Sequence, residues 1–368
     1  MIKYFFAVFI FLHGLIHLMG FAKAFGYGNI TQLTKEISKP SGFCWLITAV
    51  LFIAAIILFL LKKESWPVVV IVAAVASQLL IITVWKDARF GTIANLVTVL
   101  VAVPALAAVW FNNIARKETA AMLSIAIPVN TIVTKEMLAP LPPVVQKWLM
   151  NTGVVGKEKI HTVRLKQTGE MRTKPNGKWL PFTATQYFTV DTPAFNWLTT
   201  VQMMPLLSMN GRDKFENGKG AMLIKVLGLV KVVDEKDNDQ MNQSSMMRYL
   251  AEICWFPSAA LAEYIKWEAV DSTSAKAIMQ YKGVTVSGVF QFDSNGYPIS
   301  FSGDRWYGSG KDAALQKWFV ETNGYATFHG IRIPGKSEVS WKLNKGDFNW
   351  LYVHIVDIEY NKPGLYTK

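Results

Sequence analysis

Cysteine is scarce in this chain of 368 residues: Cys44 and Cys254 are too few for a disulfide framework or a four-cysteine metal site. Charge is scarce as well. Only 17% of the residues are charged against 51% apolar, and the mean hydropathy is positive. That balance excludes a disordered chain and argues against an ordinary cytosolic enzyme, whose surface carries more charge. Signatures of common enzymes are missing too. There is no Gly-x-Ser-x-Gly, no His-Glu-x-x-His and no Cys-x-x-Cys, and Gly308-Ser-Gly-Lys lacks the spacing and the terminal hydroxyl of a phosphate loop. A catalytic triad would have to assemble from dispersed residues such as Ser300, Ser302, Asp304 and His329.

What charge there is lies unevenly. The first 117 residues hold 10 of the 38 basic and 3 of the 26 acidic residues. Four apolar runs fill this stretch, near Ile2 to Phe21, Phe43 to Leu61, Trp66 to Trp85 and Thr92 to Phe111. Each is long enough for the roughly 20 helical residues that cross a bilayer core. Trp45, Trp66, Trp85 and Trp110 fall near the run ends, where an indole can sit at headgroup level. The first run contains two histidines and continues as Met19-Gly-Phe-Ala-Lys without a small-x-small cleavage site, so it is expected to be retained as a span. The expected organisation is a four-helix transmembrane domain over 1–111, a linker over 112–139 and a β-rich domain over 140–368. Loop charge does not orient it. Lys3, Lys62, Lys63, Arg116 and Lys117 on one side balance Lys23, Lys35, Lys39, Lys86 and Arg89 on the other. The net charge of +12 is juxtamembrane in the first part and evenly spread in the second, which does not fit nucleic acid as a partner.

Beyond the linker, Pro140-Leu-Pro-Pro introduces an amphipathic helix over Val144 to Asn151, closed by Gly153. The period then changes to two. His161, Val163, Leu165 and Gln167 share one side of a strand, as do Leu180, Phe182, Ala184, Gln186, Phe188 and Val190, and Val284, Val286, Gly288, Phe290 and Phe292. Hairpin turns are expected at Pro175-Asn-Gly, Asn217-Gly, Lys282-Gly, Ser294-Asn-Gly, Asn323-Gly and Asn344-Lys-Gly-Asp. One helix interrupts the strands from about Ser244 to Trp255, with Met247, Leu250, Ala251 and Cys254 in a stripe, and a second helical pattern covers Ser258 to Ile265. The fold class is therefore α+β, with a large antiparallel sheet that curls around its apolar face.

Several strings carry a family resemblance. Leu141-Pro-Pro-Val-Val-Gln-Lys-Trp-Leu, Lys166-Gln-Thr-Gly, Trp179-Leu-Pro-Phe-Thr-Ala-Thr-Gln, Arg248-Tyr-Leu-Ala-Glu-Ile-Cys-Trp-Phe-Pro and Gly330-Ile-Arg-Ile-Pro resemble a bacterial family of membrane-anchored proteins of unassigned function. The chain's end is similar to the half-barrel lipoprotein-carrier superfamily, in a Gly330 to Pro334 turn and an ending with Asp357, Glu359 and Asn361. The first resemblance implies a bacterial envelope membrane. The second implies a half-barrel that holds acyl chains, on the extracytoplasmic side.

Polar residues that break the apolar rows are the candidate site. His161, Gln167 and Gln186 lie on the apolar side of their strands, and Arg305 extends the row Ile299, Phe301, Gly303. An unpaired buried charge costs about 3–5 kcal/mol, so Arg305 needs a partner. One reading pairs it with a carboxylate such as Glu252; the other has these groups line a cavity mouth and bind a polar headgroup. Arg248 and Glu252 lie four apart and read as a pair on the solvated helix face, with Trp255 beside them as a packing anchor. Within the first span, His13 and His17 stand one helical turn apart. That spacing cannot supply the two axial ligands of a haem, and zinc would need a further ligand. Gln78 and Asn95 on neighbouring spans offer interhelical hydrogen bonds instead. No cofactor and no protein partner is indicated. The leading expectation is a membrane-embedded protein that binds a lipid or other amphiphile, with a membrane-linked hydrolase or an assembly protein as alternatives.

Overall fold

The computed structural model describes residues 1–126, 130–204, 207–308 and 310–367, so part of the expected linker, 127–129, lies outside the described residues. The chain divides into two compact units: Met1–Phe111 with Met204–Ser208 and Leu227–Val230, and the remainder.

The first unit is built on the helices α1 (Ile2–Phe25), α2 (Lys39–Leu60), α3 (Trp66–Thr83), the short α4 (Trp85–Ala88) and the first part of α5 (Gly91–Ser124). Of these, α1, α2, α3 and α5 are long and apolar enough to cross a membrane. Their ends follow local chemistry. Ser38 caps α2 ahead of Pro40, Pro67 opens α3, and Gly26 closes α1 in the left-handed conformation. A Cβ at Gly20 would come within 2.2 Å of the Trp45 ring, so glycine is what lets α1 and α2 approach this closely. α5 continues past the end of its apolar run as far as Ser124, so the segment after Phe111 begins as helix.

Polar groups between these helices satisfy one another. His13 Nε2 donates to Asn95 Oδ1 at 2.8 Å, Asn95 Nδ2 donates to Gln78 Oε1 at 3.1 Å, and Gln78 Nε2 donates to Thr92 Oγ1 at 3.1 Å. His17 Nδ1 donates to the His13 carbonyl, and its Nε2 accepts from Ser77 Oγ, both at 2.9 Å. The histidine pair therefore joins α1 to α3 and α5. No group of three metal-ligating side chains stands near it among the described residues. Replacing Asn95 by leucine strands both His13 and Gln78. Such interhelical bonds contribute roughly 0.6–2 kcal/mol, and the variant should unfold earlier by about that much in a detergent denaturation series.

In the second unit, α6 (Pro143–Thr152) precedes a sheet of thirteen strands. They are β1 (Thr162–Met171), β2 (Leu180–Thr189), β3 (Ala194–Met204), β4 (Leu207–Glu216), β5 (Lys219–Val226), β6 (Val230–Lys236), β7 (Ile265–Ala269), β8 (Ser274–Tyr281), β9 (Val284–Phe292), β10 (Pro298–Tyr307), β11 (Ala314–Phe328), β12 (Ile331–Leu343) and β13 (Gly346–Tyr360). The order is β6-β5-β4-β3-β2-β1-β13-β12-β11-β10-β9-β8-β7. Two antiparallel meanders thus meet where the first strand pairs with the last, and the sheet stays open at β6 and β7. The chain passes from one edge to the other through α7 (Asp239–Glu252), which packs on β5, β8, β9 and β10. A Cβ at Gly220 would fall 2.4 Å from Ser245 Oγ, so glycine in β5 lets α7 lie against the sheet.

Two local expectations are corrected. Asn323-Gly is a bulge inside β11, opposite Ser337 and Lys336, and the hairpin turns at His329-Gly330 instead. The second helical pattern is a short 3-10 turn, Pro257–Leu261, and Ile265 opens β7. Where β1 begins and β13 ends, Asn361 accepts from His161 N at 2.8 Å and donates to Lys159 O at 3.1 Å. Asn361→Ala leaves those backbone groups unmet at the central strand pair. It is expected to lower stability by about 1–3 kcal/mol in a thermal melt of the solubilised chain.

Candidate functional site

The inward rows of the sheet and one face of α7 enclose a cavity of about 510 Å³ with a predominantly apolar lining. This is within the range of small-molecule sites, roughly 300–1,000 Å³. Phe182, Val201, Met222, Ile224, Val339 and Val353 supply apolar wall from both meanders, and Trp197, Trp255, Trp306, Trp318, Trp341 and Trp350 supply indoles. Trp318 and Trp341 are directly paired across β11 and β12, which places the two rings side by side on the inner face.

A chain of hydrogen bonds crosses one wall. Trp197 Nε1 donates to Gln167 Oε1 (2.7 Å), Gln167 Nε2 to Gln186 Oε1 (3.3 Å), and Gln186 Nε2 to Glu252 Oε2 (2.7 Å). Arg248 closes it, its Nε on Glu252 Oε1 at 2.8 Å and its Nη1 on Asp213 Oδ2 at 2.7 Å. The guanidinium also lies over Trp197 at 4.6 Å and Phe195 at 5.1 Å. Burial works against the Arg248 charge, and the Glu252 and Asp213 carboxylates outweigh it and hold the group above its ordinary pKa. Burial raises Glu252, with Arg248 and the Gln186 hydrogen bond opposing that rise. The expectation of a solvated-face pair is overturned: the side chains of Arg248 and Glu252 are 14% and 10% exposed and that of Asp213 is 3%. The helix lies across the sheet, so this face is covered.

Arg305 is held differently. Its Nε donates to the Ser244 carbonyl at 3.1 Å, and its guanidinium lies 4.8 Å from the Trp318 ring and 5.8 Å from the Trp341 ring. Pairing with Glu252 does not occur, and no carboxylate stands within ion-pair distance of Arg305 among the described residues. Burial pushes its pKa down to about 10, partly offset by Asp213, with Arg248 adding to the fall and Glu252 countering it. Further donors stand unmet nearby: Trp255 Nε1, Trp318 Nε1 and Trp350 Nε1 are buried without hydrogen-bond partners. Among buried acceptors of the lining, Asp213 Oδ1 is likewise unmet. Among the buried unmet side-chain atoms of the lining, donors therefore outnumber acceptors.

Six of the seven candidate residues converge here. Gln167, Arg248, Glu252, Trp255 and Arg305 line the cavity, and Gln186 stands directly behind it. His161 does not join them; its Nδ1 meets Asp191 Oδ2 at 2.6 Å, away from the lining. Ile299 also leaves the inward row, because a register shift between Pro298 and Ser300 turns it outward. His329 and His354 are exposed, and neither they nor Ser300, Ser302 or Asp304 belong to the lining, which contains no histidine and no cysteine among the described residues. Asp213 was not among the candidates. Its signal is the period-two row Gly211, Asp213, Phe215 against Arg212, Lys214, Glu216.

Apolar helices long enough to cross a membrane, followed by an open antiparallel sheet around an apolar cavity, define the class of protein. The chain belongs to the family of unknown function DUF6544, whose sequence model matches residues 131–353. Among solved structures it is similar to the crystal structure of a LolA superfamily protein from Nitrosomonas europaea. The two are 7% identical, with a TM-score of 0.33, over 63% of this chain and 95% of that one. Comparison with the curated proteins finds no match.

Proposed function

We propose that this chain is an integral membrane protein that takes an anionic amphiphile into the sheet cavity, with its apolar part against the valine, methionine and tryptophan wall and its acidic head at Arg305. The observation that carries the reading is the state of Arg305. A guanidinium inside an apolar cavity, with one N–H engaged and no carboxylate beside it, is set to accept a carboxylate or phosphate by charge-assisted, two-pronged hydrogen bonding. Arg248 is already paired with Asp213 and Glu252, and its part is to hold α7 in place and fix the neighbouring wall.

Titration of the full chain in an amphipathic polymer with a long-chain carboxylate, and with the alcohol of equal length, tests this. Charge-assisted bonds contribute about 1.5–3 kcal/mol, so the carboxylate should bind roughly ten- to a hundredfold tighter than the alcohol. Arg305→Gln should erase that difference. Equal binding of the two by the wild-type chain would overturn the reading.

The resemblance to carrier proteins in Asp357, Glu359 and Asn361 supports placing the β-rich part on the extracytoplasmic side of a bacterial envelope membrane. A cysteine introduced in the Asn344 to Asp347 turn should then react with an impermeant reagent on intact cells. Protection until the cells are broken would contradict the placement.

A further inference from the structure

Four turns in the sheet open on a residue at positive φ followed by a glycine at positive φ: the two-residue turns Asn217-Gly218 (54°, 80°), Lys282-Gly283 (50°, 81°) and His329-Gly330 (51°, 73°), and the three-residue turn that begins Leu227-Gly228 (56°, 68°). Such turns select Asn or another polar residue first, because a side chain there is strained by its own carbonyl and the turn faces water. Three of the four obey. The fourth puts leucine in the left-handed conformation, which strains its backbone, and flanks it in sequence with Val226, Leu229 and Val230.

The neighbouring strand ends are apolar too. Met203 and Met204 end β3 and Leu207 opens β4, at the same end of the sheet as Leu227, and they are 38%, 60% and 37% exposed. Leu229, Val230 and Val232 are 47%, 60% and 51% exposed. Met204, Leu207 and Ser208 belong, with Leu227–Val230, to the unit of apolar helices. Within that unit, a Cβ at Gly228 would come 2.5 Å from the backbone N of Ala108, so the β5–β6 tip rests on α5. Ala108 lies two residues before Trp110, whose indole marks the end of the apolar run. At 1.5 Å per residue the tip sits only about 3 Å along the helix axis from that level, on the acyl-chain side.

We infer that the β5–β6 tip and the adjoining ends of β3 and β4 are embedded in the acyl-chain layer of the membrane beside α5. A lipid environment explains the choice of leucine at a strained turn, the exposure of the surrounding apolar side chains, and the seat on a membrane-crossing helix. The same strands carry Met209, Ile224 and Val233 of the cavity wall two or three residues further along. The inference rests on the membrane-spanning part of the proposed function and not on the cavity's ligand.

The test uses the full chain in vesicles of phosphatidylcholine, with Cys44→Ser removing the exposed thiol. Cys254 stays, since burial holds its thiol well above its ordinary pKa and so unreactive. An environment-sensitive fluorophore is attached at Leu229→Cys, at Asn217→Cys on the opposite end of β5, and at Val75→Cys on the exposed face of α3. The Leu229 probe should emit blue-shifted, be quenched by phospholipid brominated in its acyl chains and be shielded from aqueous iodide, while the Asn217 probe shows the reverse. Iodide quenching at Leu229, or shielding from both quenchers as a protein partner would give, overturns the inference. The Val75 probe separates the two failures. If it is quenched by brominated chains while Leu229 is not, the spans stand and only the embedding fails; if it too escapes, the membrane reading itself fails.

Discussion

Arg248→Met should be strongly destabilising, costing about 3–5 kcal/mol, because it leaves Asp213 and Glu252 buried without their cation. Arg305 feels both carboxylates but stands beyond ion-pair distance of them, so it offsets only part of the lost charge. For a chain of this size the loss corresponds to a fall in melting temperature of about 5 °C. Neutralising the carboxylates as well, in Arg248→Met with Asp213→Asn and Glu252→Gln, should recover much of the loss, since what is costly is the unpaired charge. The pH dependence has a defined sign. Glu252 is raised above 4.5 by burial, and Arg248 is the strongest opposing influence, so removing the arginine raises the carboxyl further. A carboxyl with a folded pKa above its unfolded one favours folding when protonated, and that benefit is lost as pH rises through the folded value. The Arg248→Met chain should therefore be closer to wild-type stability near about pH 5 than near about pH 8. Denaturation curves at the two pH values check this, and an equal deficit at both contradicts it.

Val339→Trp should abolish amphiphile binding while the chain remains folded. Val339 lines the cavity on β12, between Val320 and Leu351, which also line it. An indole built from there has about 510 Å³ to enter, so the usual overpacking cost of about 1–3 kcal/mol should be reduced. Affinity for a long-chain carboxylate should fall at least about tenfold, the equivalent of 1.4 kcal/mol. Val320→Trp reaches the same space from β11 and serves should the first variant fold poorly. Unchanged binding in both, with melting curves like the wild type, would place the ligand elsewhere.

Much of this fold is legible along the chain because its two halves use different periods. The apolar runs and their tryptophan ends mark the helices, and alternation marks β1, β2 and β9, where the inward sets are buried except for the partly buried Leu180 and Val284 at the strand ends. The errors have physical sources. Asn323-Gly has the chemistry of a turn, but here the extra residue is absorbed as a bulge within β11 and the chain is not reversed. The Arg248 and Glu252 face reads as solvated because a helix in isolation shows a polar side. Only the crossing from β6 to β7, which lays α7 over the sheet, brings Asp213 and Gln186 to that side. Gln167, Gln186 and Arg305 are visible as polar breaks in apolar rows. Their convergence is not, since it depends on β1 pairing with β13 and on the curvature that brings β3 and β11 to one cavity.

Native mass spectrometry of the full chain, released from membranes without delipidating detergent, is the most direct test of an amphiphile-binding cavity. The wild-type chain should carry one tightly held acidic amphiphile, identified by its added mass and by extraction. Arg305→Gln and Val339→Trp should each lose it while keeping the wild-type melting profile within about 1–3 kcal/mol of stability. A wild-type chain that flies bare in every preparation, and that takes up no long-chain carboxylate when it is supplied, would contradict the account.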